Sequence, residues 1–256
     1  MPLVVWAILV GLCFGSFANV VIYRMPLNIP ITAPPSACPA CNHRIAFYDL
    51  LPIISWVLLR GRCRHCSNRI SPRYPVVELI CAMLFTGMVL FTPTLSAAFL
   101  SLLAFVLLTV SLIDWDTQEI PDILLAIAAV AGVGWIIAGH FSPHFPNAPD
   151  FISAGLGILA GGLPLLVVDR LVLTLFKKDG FGYGDVKLMA VGGLFLGWYF
   201  VLIAFFFAFI WGGIYASFLL ATGRAKRGEY IAFGPFLSAG IIAALWFGEA
   251  FLNFIT

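Results

Sequence analysis

Two carboxylates stand at the ends of long apolar runs in this 256-residue sequence. Asp114 closes the apolar run 99–113, and Asp185 ends a glycine-rich stretch and opens a second apolar run. A carboxylate at the end of a hydrophobic segment costs free energy unless it is neutralised, paired with another group or used in a reaction. The glycines before Asp185 let the backbone pass close to a neighbouring group, because they have no Cβ. The alternative is a glycine-rich turn whose Asp caps the next helix.

Two carboxylates brought together at such a position could not both ionise cheaply, so the pair would share a proton. One member would act as a base toward water and the other would donate a proton to a carbonyl, which is peptide hydrolysis by an aspartic dyad. The 71 residues between Asp114 and Asp185 do not by themselves show that they meet. Asp116 and Asp122 are rivals to Asp114. Asp122, however, follows Pro121 and could simply occupy the first turn of a helix, where negative charge is favourable.

A second group of chemistry-bearing residues is cysteine-rich. Four of the six cysteines form two C-x₂-C units, which are Cys38 with Cys41 and Cys63 with Cys66. The units repeat beyond the cysteines, because an Arg-Ile pair follows each at the same offset. Four thiolates suit a tetrahedral, structural zinc ion, which leaves no open coordination position and can anchor a loop too small to build a core. A disulfide framework is the alternative, and it is disfavoured in a reducing cytoplasm. We expect His43 and His65 to be solvated.

The elements that must position these residues are membrane helices. The chain is 62% hydrophobic and only 10% charged, whereas a soluble domain carries about a quarter charged residues. Runs of about 20 apolar residues can cross the bilayer. They predict an all-α integral membrane protein with about eight transmembrane helices and a small cytoplasmic zinc-ribbon-like loop. Residues 186–222 are divided near Gly197, because one helix of that length would be about 55 Å long. The predicted spans are 3–23, 75–92, 96–113, 121–139, 151–169, 186–198, 200–222 and 233–254.

The basic residues test this topology. With eight spans, all fourteen Lys and Arg lie in or beside loops on one face, which the positive-inside rule makes cytoplasmic. Both termini are then outside, and both carboxylates lie at cytoplasmic helix ends. The first positive charge, Arg24, follows the first apolar run, so this run is predicted to be a retained span and not a signal peptide. The predicted division is a first transmembrane helix (1–23), a cytoplasmic tetra-cysteine zinc-binding module (24–74) and a seven-helix membrane peptidase domain (75–256).

Together these motifs resemble the type IV prepilin peptidases, the bacterial leader peptidases and N-methyltransferases of pilus and type II secretion systems. Asp114, followed after five residues by Ile-Pro-Asp, resembles the motif of the family's first catalytic Asp. Gly182-Tyr183-Gly184-Asp185 resembles the G-x-G-D motif of the second. The C-x₂-C units resemble the family's cytoplasmic loop. Further similar segments are 15–26 (GSFANVVIYRMP), 70–78 (ISPRYPVVE) and 233–240 (FGPFLSAG).

The resemblance implies that Asp114 and Asp185 are catalytic, with Gly182 and Gly184 supporting the motif. It implies an enzyme of the bacterial inner membrane that cuts prepilins and pseudopilins at the cytoplasmic face, after a Gly that ends a short basic leader. It further implies methylation of the new N-terminal residue by S-adenosylmethionine. The sequence has no glycine loop after a strand to hold that cofactor, so its site is unassigned. The expected partners are these precursors and the lipid bilayer, with no nucleic acid.

Two other functional classes stay open. A membrane transporter or channel would use intramembrane carboxylates to relay ions, but it would place them near mid-span and not at span ends. A membrane-anchored zinc-ribbon adaptor would leave the glycine-rich stretch without a purpose. For the peptidase, a basic leader must approach a basic face, and we hypothesise that Asp116, Glu119 and Asp122 supply local negative charge.

Overall fold

A computed structural model describes residues 2–92, 94–142, 145, 147–177, 181–224 and 231–255. The basic residues Lys178, Lys226 and Arg227 of the topology argument lie outside this part of the chain. Within it there is no β-strand, and the longer elements are α-helices. They are α1 (Pro2–Arg24), α2 (Ile54–Leu58), α3 (Arg73–Phe91), α4 (Thr94–Thr117), α5 (Asp122–Phe141), α6 (Phe151–Phe176), α7 (Tyr183–Ala221) and α8 (Gly234–Ile255).

All of these helices except the short α2 are long and apolar enough to cross a membrane, which gives seven candidate spans among the described residues. The chain is therefore a multi-pass membrane protein, and the predicted all-α membrane fold is confirmed. One predicted boundary is too early: span 151–169 continues as α6 to Phe176.

The predicted break near Gly197 explains why eight spans were expected where seven helices are found. As one straight helix, α7 would be about 58 Å long. Gly197 has φ 75° and ψ 175°, a backbone conformation that favours glycine. Two helical segments therefore meet at this residue, the first short and the second of ordinary spanning length.

The chain divides into two compact units, Met1–Phe105 and Val106–Thr256, and α4 contributes to both. In the first unit α1 packs along α3. A Cβ on Gly11 would lie 2.6 Å from the Cα of Ala82, and one on Gly15 would lie 2.5 Å from the Cα of Glu78. Small residues four apart thus allow the two backbones to approach closely, as is usual for helices in membranes. The predicted division into residues 1–23, 24–74 and 75–256 is based on the predicted spans and the cysteine motif, and it stays a prediction.

In the second unit α7 is central, with α5, α6 and α8 packed against it. Its first turns are buried by this packing, since Leu188, Met189 and Phe195 are almost fully inaccessible. Interiors packed this closely leave little room for a side chain to move. The start of α7, which carries Asp185, is consequently held in one place.

Candidate active site and metal centre

Asp114 lies in the last turn of α4 and is buried, with only 4% of its surface exposed. Its Oδ2 accepts a hydrogen bond of 2.9 Å from the backbone N–H of Gly234, the first residue of α8. The carboxylate therefore satisfies one of the unpaired N–H groups of that helix, at the end where negative charge is favourable. A Cβ on Gly234 would lie 2.7 Å from Asp114 Oδ2, so this contact requires glycine.

Asp185 lies in the first turn of α7 and is also buried, with 3% exposed. Its backbone N–H donates to the carbonyl oxygen of Gly182 at 3.0 Å. Its Oδ1 has no hydrogen-bond partner within the described part of the chain. Buried polar atoms without a hydrogen-bond partner are uncommon in folded proteins, and some of them have a catalytic role.

The two motif glycines differ in what the structure requires of them. A Cβ on Gly184 would lie 2.7 Å from the Cβ of Ile120, so the residue before Asp185 must be glycine to keep this approach. Gly182 has φ −70° and ψ 146°, which any residue can adopt. Its backbone conformation therefore does not account for a glycine there.

The fold brings the two predicted carboxylates together. The side chains of Asp114 and Asp185 are near enough to interact electrostatically, although 71 residues separate them. The rivals to Asp114 are placed differently, because Asp116 and Asp122 are both exposed. Asp122 occupies the first turn of α5, as its alternative interpretation held, and binds Lys187 Nζ at 2.7 and 2.8 Å.

Sequence reasoning missed two residues of α6 that hold the glycine-rich stretch. Asp169 is buried, and its Oδ1 accepts a hydrogen bond of 3.2 Å from the backbone N–H of Phe181. Arg170 donates to the hydroxyl of Tyr183 and lies 5.6 Å from the centre of that ring. The signal in the sequence was the Asp169–Arg170 pair inside an apolar run. Charged residues inside a membrane span cost free energy and are usually functional. The residues that lead into Asp185 are thus attached to α6 on both sides of Gly182.

The predicted cysteines come together in a candidate metal centre. The Sγ atoms of Cys38, Cys41, Cys63 and Cys66 all lie within 4.8 Å of one another, and those of Cys38 and Cys66 are 3.8 Å apart. A tetrahedral zinc with bonds of about 2.3 Å would separate its sulfurs by about 3.8 Å. Hydrogen bonds from the backbone N–H groups of Ala40 and Cys41 lower the pKa of the Cys38 thiol to about 7, which favours the thiolate that binds metals. Despite a backbone hydrogen bond from Asn68, burial and the neighbouring sulfurs raise the pKa of the Cys66 thiol to about 11, so the fit to a metal rests on the sulfur positions. The four cysteines therefore fit a metal ion.

The two knuckles repeat in backbone as well as in sequence. In the first, the N–H of Cys38 donates to the His43 carbonyl at 3.0 Å. In the second, the N–H of Cys63 donates to the Asn68 carbonyl at 2.8 Å. Each knuckle also closes with an antiparallel bridge at the same offset, Ala37 to Arg44 and Arg62 to Arg69. Two copies of one turn thus present four sulfurs to one point. The exposed His43 and His65 rings stack on each other and do not belong to the sulfur cluster.

Polar contacts help to hold the rest of this module. Arg24, at the end of α1, is buried and donates to backbone carbonyls of the proline-rich segment, those of Pro30, Ile31 and Pro34. Arg64, inside the second knuckle, binds Asp49 with two hydrogen bonds of 2.6 and 2.9 Å. The side-chain hydrogen bond and positive charge of Arg64 hold the pKa of Asp49 below its usual range.

Comparisons with known proteins show the family to which the chain belongs. Residues 9–92 match the model of the Bacterial Peptidase A24 N-terminal domain, and residues 101–217 match that of the Type IV leader peptidase family. A prepilin leader peptidase/N-methyltransferase of Pseudomonas putida is 35% identical, over 96% of this chain and 92% of the relative. Proteins of the same name from Burkholderia pseudomallei strain 1026b and Aeromonas salmonicida are 34% and 33% identical, over 96% and 93% of this chain and 86% and 89% of theirs. No solved structure matches the chain. On this evidence the chain belongs to the type IV leader peptidase family of membrane enzymes.

Proposed function

We propose that the chain is an aspartic endopeptidase that removes the short basic leader from type IV prepilins and pseudopilins, and that it then methylates the new N-terminus. The observation that carries this proposal is the meeting of two buried carboxylates, one at the end of α4 and one at the start of α7. The family relationship supports the same reaction, because the relatives are named as prepilin leader peptidases and N-methyltransferases.

The proposed cleavage uses one proton shared by Asp114 and Asp185. The ionised carboxylate takes a proton from water as the water oxygen bonds to the carbon of the scissile carbonyl. The protonated carboxyl gives its proton to the carbonyl oxygen. The tetrahedral intermediate then collapses, the C–N bond breaks, and the leaving nitrogen takes the proton that came from water. The hydroxyl proton of the intermediate returns to the other carboxylate, so the pair ends with one proton again.

Hydrogen bonds already present at the site suit this role. Asp114 Oδ2 is fixed by the Gly234 N–H, so the orientation of its carboxylate is set before substrate arrives. Asp185 Oδ1 has no protein partner among the described residues and can therefore bind the attacking water or the substrate. One carboxylate that is held and one with a free oxygen form the arrangement that a general acid–base pair needs.

We place this site at the cytoplasmic face of the bacterial inner membrane. Counting the two segments of α7 on either side of Gly197 as separate spans puts both termini outside. The positive-inside distribution of Lys and Arg supports this placement.

The basic leader would meet the exposed residues Asp116 and Glu119 beside Asp114. Asp122 contributes less than expected, because Lys187 neutralises it. We expect cleavage to follow a Gly that ends the leader, as the family resemblance implies.

Two further groups belong to the proposal. Zinc is proposed as the metal held by the cysteine cluster, where it would fix the two knuckles and take no part in hydrolysis, because four sulfurs fill its coordination sphere. S-adenosylmethionine is proposed as the methyl donor, since a methyltransferase step needs an activated methyl group. No residue of this chain is assigned to bind it.

The test is an assay of the purified full-length protein with a prepilin that has a basic leader, with and without S-adenosylmethionine. We expect the product to lose the mass of the leader in both reactions, and to gain one methyl group only when the donor is present. An intact prepilin in both reactions would refute the peptidase. A trimmed product that is never methylated would refute the second activity and leave the first intact.

A further inference from the structure

The polypeptide between the two cysteine knuckles exposes an unusual amount of apolar surface. It contains a short 3-10 helix, Phe47–Leu50, and the five-residue α2. Six large apolar side chains in it are 44–83% exposed. We call them the apolar ridge; they are Phe47, Leu50, Leu51, Ile54, Val57 and Leu58. Contiguous exposed apolar surface of this kind marks an interaction site.

The helix α2 is oriented with its apolar side outward. Ile54, Val57 and Leu58 have the i, i+3, i+4 spacing of one helix face, and this face is exposed. The opposite side is attached to the module by polar contacts. Ser55 donates its hydroxyl to the Tyr48 carbonyl at 2.9 Å, and Trp56 Nε1 donates to the Ile70 carbonyl at 3.2 Å. The ridge is therefore held outward by the fold and is not a loosely packed core.

A hydrogen bond sets the level of the ridge along α3. The backbone N–H of Ile53, immediately before α2, donates to Glu78 Oε2 at 2.7 Å. Ile53 has φ 60°, which is strained for a β-branched residue, and buried Glu78 holds it there. Glu78 lies five residues into α3, about 7.5 Å along the helix at 1.5 Å per residue. Glu78 therefore lies inside the candidate membrane span, near its N-terminal end.

The neighbouring surface indicates what covers the ridge. At the same end of α3, Tyr74, Val76 and Leu79 are about half exposed, so the start of this candidate span also exposes apolar side chains. Exposed Arg60 and Arg62 follow α2 directly. Basic residues beside an apolar face are the pattern of segments that lie in the interface of an anionic bilayer. A second copy of the module would instead bring like charges together.

We propose that the apolar ridge lies in the headgroup–acyl boundary of an anionic bilayer, with Arg60 and Arg62 on the lipid headgroups. The cysteine module is then held against the membrane surface by lipid contacts in addition to its covalent connections to α1 and α3. Burial of apolar area and attraction to anionic lipid both contribute to such binding.

The test uses the full-length protein in vesicles of phosphatidylethanolamine and phosphatidylglycerol, with a photo-crosslinking residue at one position. Leu58→p-benzoylphenylalanine is expected to give lipid adducts on irradiation, detected by mass. Met83→p-benzoylphenylalanine, on the exposed face of α3, is the positive control. Asn68→p-benzoylphenylalanine, exposed in the second knuckle, is the negative control. Phe47→p-benzoylphenylalanine is the substitute if the Leu58 variant loses its metal.

A lipid yield at Leu58 at least half of that at Met83, with little at Asn68, would support the proposal. A yield at Leu58 equal to that at Asn68 would overturn it, as would adducts formed mainly with a second chain or with added prepilin. Replacing phosphatidylglycerol by phosphatidylcholine should lower the yield at Leu58 and leave that at Met83 unchanged. An unchanged yield at both positions would overturn the role of Arg60 and Arg62.

Discussion

The cysteine module and the carboxylate site are built by opposite means. The module gathers four sulfurs from two local turns 25 residues apart, and its other contacts include the Arg64–Asp49 hydrogen bonds and the His43–His65 ring contact. The carboxylate site gathers Asp114, Asp185 and Gly234 from three long helices, and packing around α7 holds them. A metal can replace a core where the chain is short. In the membrane part of the chain, the packing of the helices must position each carboxylate.

This difference predicts how each region fails. In the carboxylate site the fold should survive loss of the chemistry, because neither carboxylate carries the packing. In the module the fold should loosen when the metal is removed, because the metal would join the two knuckles. Four sets of substitutions test this contrast, from the largest expected effect to the smallest.

The largest effect is expected from Asp114→Asn and Asp185→Asn. Each amide keeps the size of the side chain but cannot exchange the shared proton, so cleavage should fall at least about a hundredfold. The proposal also requires that both variants still insert and accumulate in the membrane. Prepilin cleavage followed by mass spectrometry measures the loss, with Asp150→Asn, an exposed carboxylate at the N-cap of α6, as the control. Wild-type rates in either dyad variant would rule out the dyad.

The module is tested by the double variant Cys38→Ser and Cys63→Ser, which removes one sulfur from each knuckle. We expect metal content to fall from about one zinc per chain to none, because two remaining thiolates bind zinc far more weakly than four. Elemental analysis of the purified protein measures this, and proteolysis between residues 38 and 66 reports on the fold of the module. Cys13→Ser, outside the cluster, is the control. Full zinc content in the double variant would show that the cluster is not the metal site.

How much of each region could be predicted from sequence follows from the same difference. The clustering of the four cysteines was predicted correctly, because they are local and repeat at a fixed offset. The pairing of Asp114 with Asp185 was a hypothesis from residue type, and the packing of α7 was needed to bring them together. Gly234 and Asp169 were missed as partners, because a backbone N–H that meets a distant carboxylate leaves no local pattern. The outward face of α2 was also missed, since five residues carry too little periodicity.

A smaller effect is expected from Gly184→Ala, which tests whether close packing positions Asp185. The new Cβ would meet the Cβ of Ile120 at 2.7 Å, so the start of α7 must shift. Overpacking of this kind costs about 1–3 kcal/mol, and cleavage should fall about tenfold or more, because small displacements at a reacting centre are costly. Gly213→Ala, on the same helix with no atom within 4 Å of its Cβ, should leave cleavage unchanged. Equal rates in the two variants would contradict a positioning role for Gly184.

The smallest effect is expected at Asp169, whose carboxylate holds the Phe181 N–H. Asp169→Ala removes the acceptor and should lower kcat several-fold with little change in KM, since one hydrogen bond contributes about 1 kcal/mol. Asp169→Asn keeps an oxygen that can accept the same bond and should retain most activity. Asp150→Ala is the matched control, because Asp150 accepts the Ser153 N–H at the other end of α6; its loss should lower thermal stability but not kcat. If Asp169→Ala and Asp150→Ala changed stability and kcat alike, Asp169 would be a helix-stabilising residue only, and the attachment of the glycine-rich stretch to α6 would have no part in placing Asp185.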